Sequence, residues 1–436
     1  MKKILICVLL AGLLLTAVSC SRTVGYVEQP KKQTERDWDY DDYDDPGDFE
    51  EPKEIETDQS GQNQKTNAPS LLDSMFLSQE RYFISGNAAE RATITIEGGL
   101  RPVETKVSDN LYMAEVFLER QKTKDVELYI YAQSSGKEKS DPLVVTVSKD
   151  EARGSIPVYV GKRNRLHYEH TLDDFLGINL FSDPELAKLR EGAEKLQQRI
   201  TDAGLKTELI IFIAPNHATI YPETMPDFLT EQKASADSRA KQMAKEFENS
   251  KIKLIFPTKK LLLEKSNNIL YFAHDTHWND LGAYYGYCEL FEYIGERFPD
   301  ALPIPDHELN IYDTTMYGGD ITGNMLFVNG YDYPSITAVA QVKNPKAVLK
   351  EADGTPGQGF EIWVNDDGKN KPSVMMYRDS FSVAMISFIA ESSSKFIVNP
   401  MWDFSVKMDY LKEINPDYLV IEKVERESRG FSGVLR

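Results

Sequence analysis

The chain has 436 residues and a formal net charge of −19, from 50 basic and 69 acidic residues. No basic patch stands out, which argues against a nucleic-acid partner. Four Trp, 22 Tyr and 20 Phe supply a sizeable core, so most of the chain is expected to be globular.

Residues 1–20 read as a targeting segment. Lys2 and Lys3 precede an apolar run from Ile4 to Val18, too short for a typical spanning helix. The run ends in Ala17-Val18-Ser19 just before Cys20. This pattern predicts a bacterial lipoprotein signal, with Cys20 as the lipidated first residue of the mature protein. Because Ala17 stands where Leu is commonest, an ordinary secretory signal with another cut site stays open. Either way an exported protein is expected, and with the lipid it would be anchored at the outer face of the cell membrane. Cys7 leaves with the signal and Cys20 takes lipid. Cys288 is then alone, which excludes a disulfide framework.

Residues 21–69 read as a disordered acidic linker. Between Asp37 and Glu56 lie eleven acids and a single Lys53. Such a segment cannot bury enough apolar surface to offset its ordering entropy. Asp41-Asp42-Tyr43-Asp44-Asp45 lacks the glycine and ligand spacing of a calcium loop.

Over 70–152 the periodicity is two, as in Thr93-Ile94-Thr95-Ile96-Glu97 and Val126-Glu127-Leu128-Tyr129-Ile130-Tyr131. Gly98-Gly99, Ser108-Asp109-Asn110 and Ser134-Ser135-Gly136 punctuate the runs. A small β-sandwich is predicted, similar in rhythm to immunoglobulin-like modules, with a spacer or glycan-docking role.

From 155 to 436 helices and strands alternate. A helix begins at Asp183-Pro184 and ends at Gly204. An apolar strand follows, Glu208 to Ala214. Then come a helix near 228–248, a strand at 253–256, a helix from Asn279 to Phe298 and a strand at 374–377. A helix through 384–389 and strands at 395–398 and 418–421 complete the pattern. Near-continuous apolar strands between amphipathic helices predict one α/β domain with a parallel sheet covered on both faces.

Two fragments carry chemistry. Asp275-Thr276-His277-Trp278-Asn279 offers a carboxylate and an imidazole two residues apart, able to meet at a turn or strand end. Val374-Met375-Met376-Tyr377-Arg378-Asp379-Ser380 brings a serine to the point where an apolar strand gives way to a helix, the edge at which α/β sites form. Together they supply a nucleophile (Ser380), a base (His277) and an orienting carboxylate (Asp275). Read locally, a serine at such a junction is far more often a helix cap than a nucleophile, and His277 could be a buried histidine satisfied by Asp275. His274 and His277 could instead be two metal ligands, although no third His or Cys cluster lies nearby.

Asp275-Thr276-His277-Trp278-Asn279, with Gly282-Ala283 after it, resembles the Asp-x-His-Trp signature of the alginate O-acetyltransferase-like group of the SGNH-hydrolase superfamily. Ile211 to Pro215, Tyr221 to Pro226, Gly319 to Leu326, Tyr377 to Phe381, and Pro416 to Ile421 with Glu425-Arg426, resemble further blocks in that group's order. The resemblance implies an SGNH-hydrolase-like parallel sheet flanked by helices, and a serine-dependent O-acetyltransferase or acetylesterase with no cofactor and no metal. It implies Ser380, His277 and Asp275 as the triad. Arg378, Trp278, Asn324 and Gly319 become candidates for substrate or oxyanion contacts. The expected partners are an exopolysaccharide or wall glycan as acceptor and a membrane protein delivering acetyl. Asn216-His217 departs from the lysine frequent at that point in the group. The rival expectation is a catalytically silent surface protein that binds glycan.

Overall fold

The computed structural model describes residues 64–120, 124–148, 155–400 and 406–435. The signal, Cys20 and the acidic stretch lie outside the described residues. Residues 64–69, assigned to the linker from composition, already engage the β-module. Thr66 is buried and its amide donates to the Glu138 carbonyl, and Lys65 pairs with Asp141.

Seven antiparallel strands follow: β1 (Ser74–Phe76), β2 (Arg81–Asn87), β3 (Thr93–Glu97), β4 (Val103–Lys106), β5 (Leu111–Phe117), β6 (Val126–Gln133) and β7 (Leu143–Val147). They form two sheets, β1-β2-β5 and β4-β3-β6-β7. Ile94, Ile96, Leu128 and Ile130 of one pack on Tyr82, Ile84, Tyr112 and Val116 of the other. In β3 buried and half-buried residues alternate, as expected of a sheet with one solvated face. β2 and β5 are buried on both faces. Their second face, Phe83, Leu111 and Met113, joins Val158, Val160, Leu166, Ile321, Leu326 and Tyr333 of the following domain in one apolar cluster. The module is therefore packed against the α/β domain, not held off as a spacer.

A short ladder of β8 (Val158–Val160) and β9 (Leu166–Tyr168) leads into that domain. Its sheet contains β10 (Glu208–Ala214) and β11 (Lys253–Ile255). A separate hairpin of β12 (Leu309–Tyr317) and β13 (Pro334–Val342) follows. β14 (Val348–Ala352), β15 (Glu361–Val364), β16 (Ser373–Arg378), β17 (Lys395–Pro400) and β18 (Tyr418–Val424) complete the sheet. The order is β11-β10-β18-β16-β17-β15-β14. The first five are parallel, and β15 and β14 add an antiparallel edge. Strand alternation splits the apolar residues between two clusters. Phe212, Met376 and Val420 face the helices Asp280–Gly295 and Ile386–Glu391, while Ile211, Met375 and Leu419 face Asp183–Asp202 and Arg239–Phe247. The mixed α/β, SGNH-like fold is thus as expected.

The helix expected near 228–248 is broken. Asp227–Thr230 is one short helix and Arg239–Phe247 another. Between them the Ala234 amide donates to the Leu176 carbonyl, and Ser238 Oγ caps the second helix at Lys241 N (3.4 Å). The β12–β13 hairpin and the β14–β15 edge are absent from the elements read in the sequence, because β12 and β14 are largely polar and the apolar stretches of β13 and β15 are short. β12 is Leu-Asn-Ile-Tyr-Asp-Thr-Thr-Met-Tyr, and β14 is mostly exposed.

Candidate active site

Ser380 stands two residues beyond β16, at the start of the helical turn Ser380–Met385. Asp379 is its cap. Asp379 Oδ1 accepts from Phe381 N (2.9 Å), Oδ2 accepts from Val424 N (2.7 Å), and Asp379 N donates to Glu422 Oε2 (2.9 Å). The turn is thereby pinned to the end of the neighbouring β18, leaving Ser380 half-buried and open to solvent on one side.

Asp275, Thr276 and His277 lie on a loop closed by the Tyr271–Trp278 bridge. Asn279 caps the helix Asp280–Gly295 by accepting from Gly282 N (2.9 Å). Gly282 is required there, because a Cβ would come within 2.2 Å of the Leu270 carbonyl oxygen. The structure brings three sequence-selected residues together. Ser380 Oγ is 2.7 Å from His277 Nε2, and His277 Nδ1 is 2.7 Å from Asp275 Oδ1. The same Oδ1 accepts from His277 N (2.9 Å). A hydroxyl, an imidazole and a carboxylate in this series can pass a proton from Oγ to Nε2 while Nδ1–H stays with the carboxylate.

A second carboxylate joins them. Asp320 accepts from Thr276 N (2.7 Å) and Thr276 Oγ1 (2.6 Å), donates its own amide to Asp275 Oδ2 (2.7 Å), and has Oδ2 3.5 Å from His277 Nδ1. Burial alone would keep the imidazole neutral, but the Asp275 charge, the Asp275 hydrogen bond and the Asp320 charge outweigh it and raise its pKa above the ordinary value. For Asp275 burial acts upward, and its His277 partner and the amide donors overcome it, so its pKa falls. Burial, then the Asp275 charge, pushes Asp320 up to about 6. In the sequence Asp320 stands out only as part of the Gly319–Leu326 block, with no role of its own. Its approach to Asp275 depends on the loop after β12, for which local periodicity carries no signal.

Among the described residues, Asp275, His277 and Asp320 are also the one group whose ligand atoms lie close enough to hold a metal ion, within 4.8 Å of one another. All four carboxylate oxygens already accept hydrogen bonds from protein donors. His274 is not part of this group. It is buried, with Nδ1 3.2 Å from the Tyr333 carbonyl and Nε2 3.0 Å from the Asn164 carbonyl.

Of the remaining expected contacts, Trp278, Arg378 and Gly319 are engaged within the protein. Trp278 is buried at 1 % exposure and donates from Nε1 to the Phe381 carbonyl (2.8 Å), so it braces the site instead of meeting substrate. Arg378 is buried, with its guanidinium on the Asp379 (3.1 Å) and Gly357 (2.6 Å) carbonyls. Gly319 lies behind Asp275, where a Cβ would meet the His274 oxygen at 2.4 Å and Asp275 Cβ at 2.7 Å. Asn324 is exposed in the turn Ile321–Leu326. Burial pushes the Cys288 thiol up to about 12, in keeping with a core residue.

Residues 158–355 match the family described as SGNH hydrolase-like domain, acetyltransferase AlgX. The match bears out the resemblance read from the motifs. It takes in Asp275, His277 and Asp320 and ends before Ser380. Among solved structures, the chain is similar to a DHHW family protein from Eubacterium siraeum, at 14 % identity over 70 % of this chain and 94 % of that one, TM-score 0.45. It is similar to PatB1 of Bacillus cereus at 13 % identity, over 62 % of this chain and 96 % of that one, TM-score 0.45. The O-acetyltransferase domain of Pseudomonas putida AlgJ is 15 % identical over 62 % of this chain and 91 % of that one, TM-score 0.39. No curated protein matches the chain.

Proposed function

We propose that this protein is an exported, lipid-anchored O-acetyltransferase, or acetylesterase, of an exopolysaccharide or wall glycan. Ser380 is the nucleophile, His277 the general base and Asp275 its orienting carboxylate. The observation that carries the reading is the unbroken series Ser380 Oγ, His277 and Asp275, at 2.7 Å for each link. Ser380 Oγ attacks the carbonyl carbon of an acetyl ester as its proton passes to His277 Nε2. The tetrahedral intermediate collapses, the leaving oxygen takes the proton from His277, and acetyl-Ser380 remains. A sugar hydroxyl or water, deprotonated by His277, then attacks the acetyl group and releases Ser380. Transfer and hydrolysis differ only in which acceptor reaches the acyl-enzyme. Asp275 holds Nδ1–H and stabilises the imidazolium in both halves. An acetyl donor delivered by a membrane partner fits an enzyme tethered through Cys20.

The test is hydrolysis of a chromogenic acetyl ester by residues 64–436, beside Ser380→Ala and His277→Ala. Activity abolished in both variants is expected. Equal background rates in all three would favour the glycan-binding alternative.

A further inference from the structure

The acyl-transfer reading requires donors for the oxyanion that forms on the acetyl carbonyl oxygen. The Ser380 amide opens a helical turn, where N–H groups lack intrahelical acceptors. The next amide, Phe381 N, is occupied by Asp379 Oδ1 at 2.9 Å. In the loop at 319–324, Gly319 packs behind Asp275 and the Asp320 amide is occupied by Asp275 Oδ2. A side chain near Ser380 is the alternative source of a second donor.

We infer that Arg426 is that donor, its Nη1–H completing the oxyanion pocket with the Ser380 amide. This rests on Ser380 being the nucleophile. β18 lies between β16, which delivers Ser380, and β10. Tyr377 is level with Ile421 on the one side and Ala214 with Val424 on the other. Arg426 follows two residues after β18 ends, so it leaves the sheet at the same carboxyl edge as Ser380. Its guanidinium carbon sits 5.1 Å over the Phe381 ring and 5.7 Å from the Tyr168 ring centre. The Phe381 ring lies 4.7 Å from the His277 ring. The two aromatic faces hold the guanidinium at the nucleophile's turn, against the ring that also packs on His277. Nη1 is buried and has no hydrogen-bond partner. A buried cationic N–H without an acceptor is costly, and a ligand oxygen that arrives only during the reaction relieves that cost when it counts. Arg239 is engaged on Asp174, and both Nη atoms of the neighbouring Arg378 are engaged on backbone carbonyls, leaving only its Nε without a partner.

In the first step the Ser380 Oγ–C bond forms and its proton moves to His277 Nε2. The carbonyl π pair moves onto oxygen, where Arg426 Nη1–H and the Ser380 amide donate to it. Those bonds weaken again when the C=O re-forms and the leaving oxygen departs with the His277 proton. Donation that strengthens only in the transition state raises kcat and leaves KM little changed.

The experiment is steady-state hydrolysis of 4-nitrophenyl acetate by residues 64–436, as wild type, Arg426→Met, Arg426→Gln and Ser380→Ala, each with a thermal melt. Arg426→Met should lose roughly 10²–10³-fold in kcat with KM within about threefold, and Arg426→Gln, which keeps an N–H donor without the charge, should fall between. Where Arg426→Met does not fold, Arg426→Gln decides. A folded Arg426→Gln with wild-type kcat overturns the assignment, as does a change confined to KM. Equal rates for wild type and Ser380→Ala would remove the reaction itself and the function proposed above. Loss in Ser380→Ala with full activity in the Arg426 variants would remove this assignment alone.

Discussion

Trp278 Nε1 donates to the Phe381 carbonyl at 2.8 Å, joining the residue after the imidazole to the residue after the serine. The pair lies 103 residues apart in sequence. It fixes the relative position of two loops at a point one residue from each reacting group, and both rings are buried. Trp278→Phe keeps most of the ring and leaves a buried carbonyl without its donor. Stability should fall by about 1–2 kcal/mol in chemical denaturation. Ester hydrolysis should fall roughly tenfold in kcat as the Ser380–His277 separation loosens. Lost stability with unchanged kcat would confine the bond to folding.

Asp275→Asn should reduce kcat by roughly 10³-fold while the fold persists, because the amide no longer fixes the Nδ1–H tautomer or stabilises the imidazolium. Circular dichroism and ester kinetics on the same preparation check it. A loss below tenfold would mean that Asp320 serves as the orienting carboxylate.

Asp320, after Asp275, shapes the acid side of the pH profile. Its negative charge favours imidazolium and raises the His277 pKa. The base works only when neutral, so kcat/KM falls as pH drops through that pKa. Neutral Asn at 320 favours imidazolium less, and Asp320→Asn should move the acid limb to lower pH. Asp320 itself is pushed up to about 6 and titrates alongside, so the wild-type limb should also be broader than the variant's. An unmoved limb would show that Asp320 does not act on the imidazole.

The β-module is predicted to be required for a folded α/β domain. Residues 155–436 alone would expose Val158, Val160, Leu166, Ile321, Leu326 and Tyr333, now buried against Phe83, Leu111 and Met113. Asn164 would lose its bonds to Met113 N (3.2 Å) and the Leu111 carbonyl (2.7 Å), and its own carbonyl holds His274, next to Asp275. The truncated chain should aggregate or melt well below the longer one. An equal, cooperative melt would restore the spacer reading.

If Cys20 carries lipid, Cys20→Ala should move the protein from the membrane to the soluble exported fraction. A wild-type protein already soluble after export would favour the ordinary secretory signal instead.

The sequence by itself determined the local parts. Apolar runs marked β10, β16, β17 and β18, because strands covered on both faces admit few polar residues. Asp275 and His277 could be paired from an i, i+2 spacing, and Ser380 located from the end of an apolar run, because each feature is written in a few consecutive residues. What only the tertiary structure decided were meetings between distant segments. Asp320 reaches Thr276 across 44 residues, and Ser85 of the module reaches Tyr333 (2.6 Å) across 248. Trp278 turned from an expected substrate contact into a buried brace, and Arg426 acquired a place beside Phe381. Those outcomes follow from strand order and loop closure, and no periodicity within a fragment encodes which edge its neighbours will share.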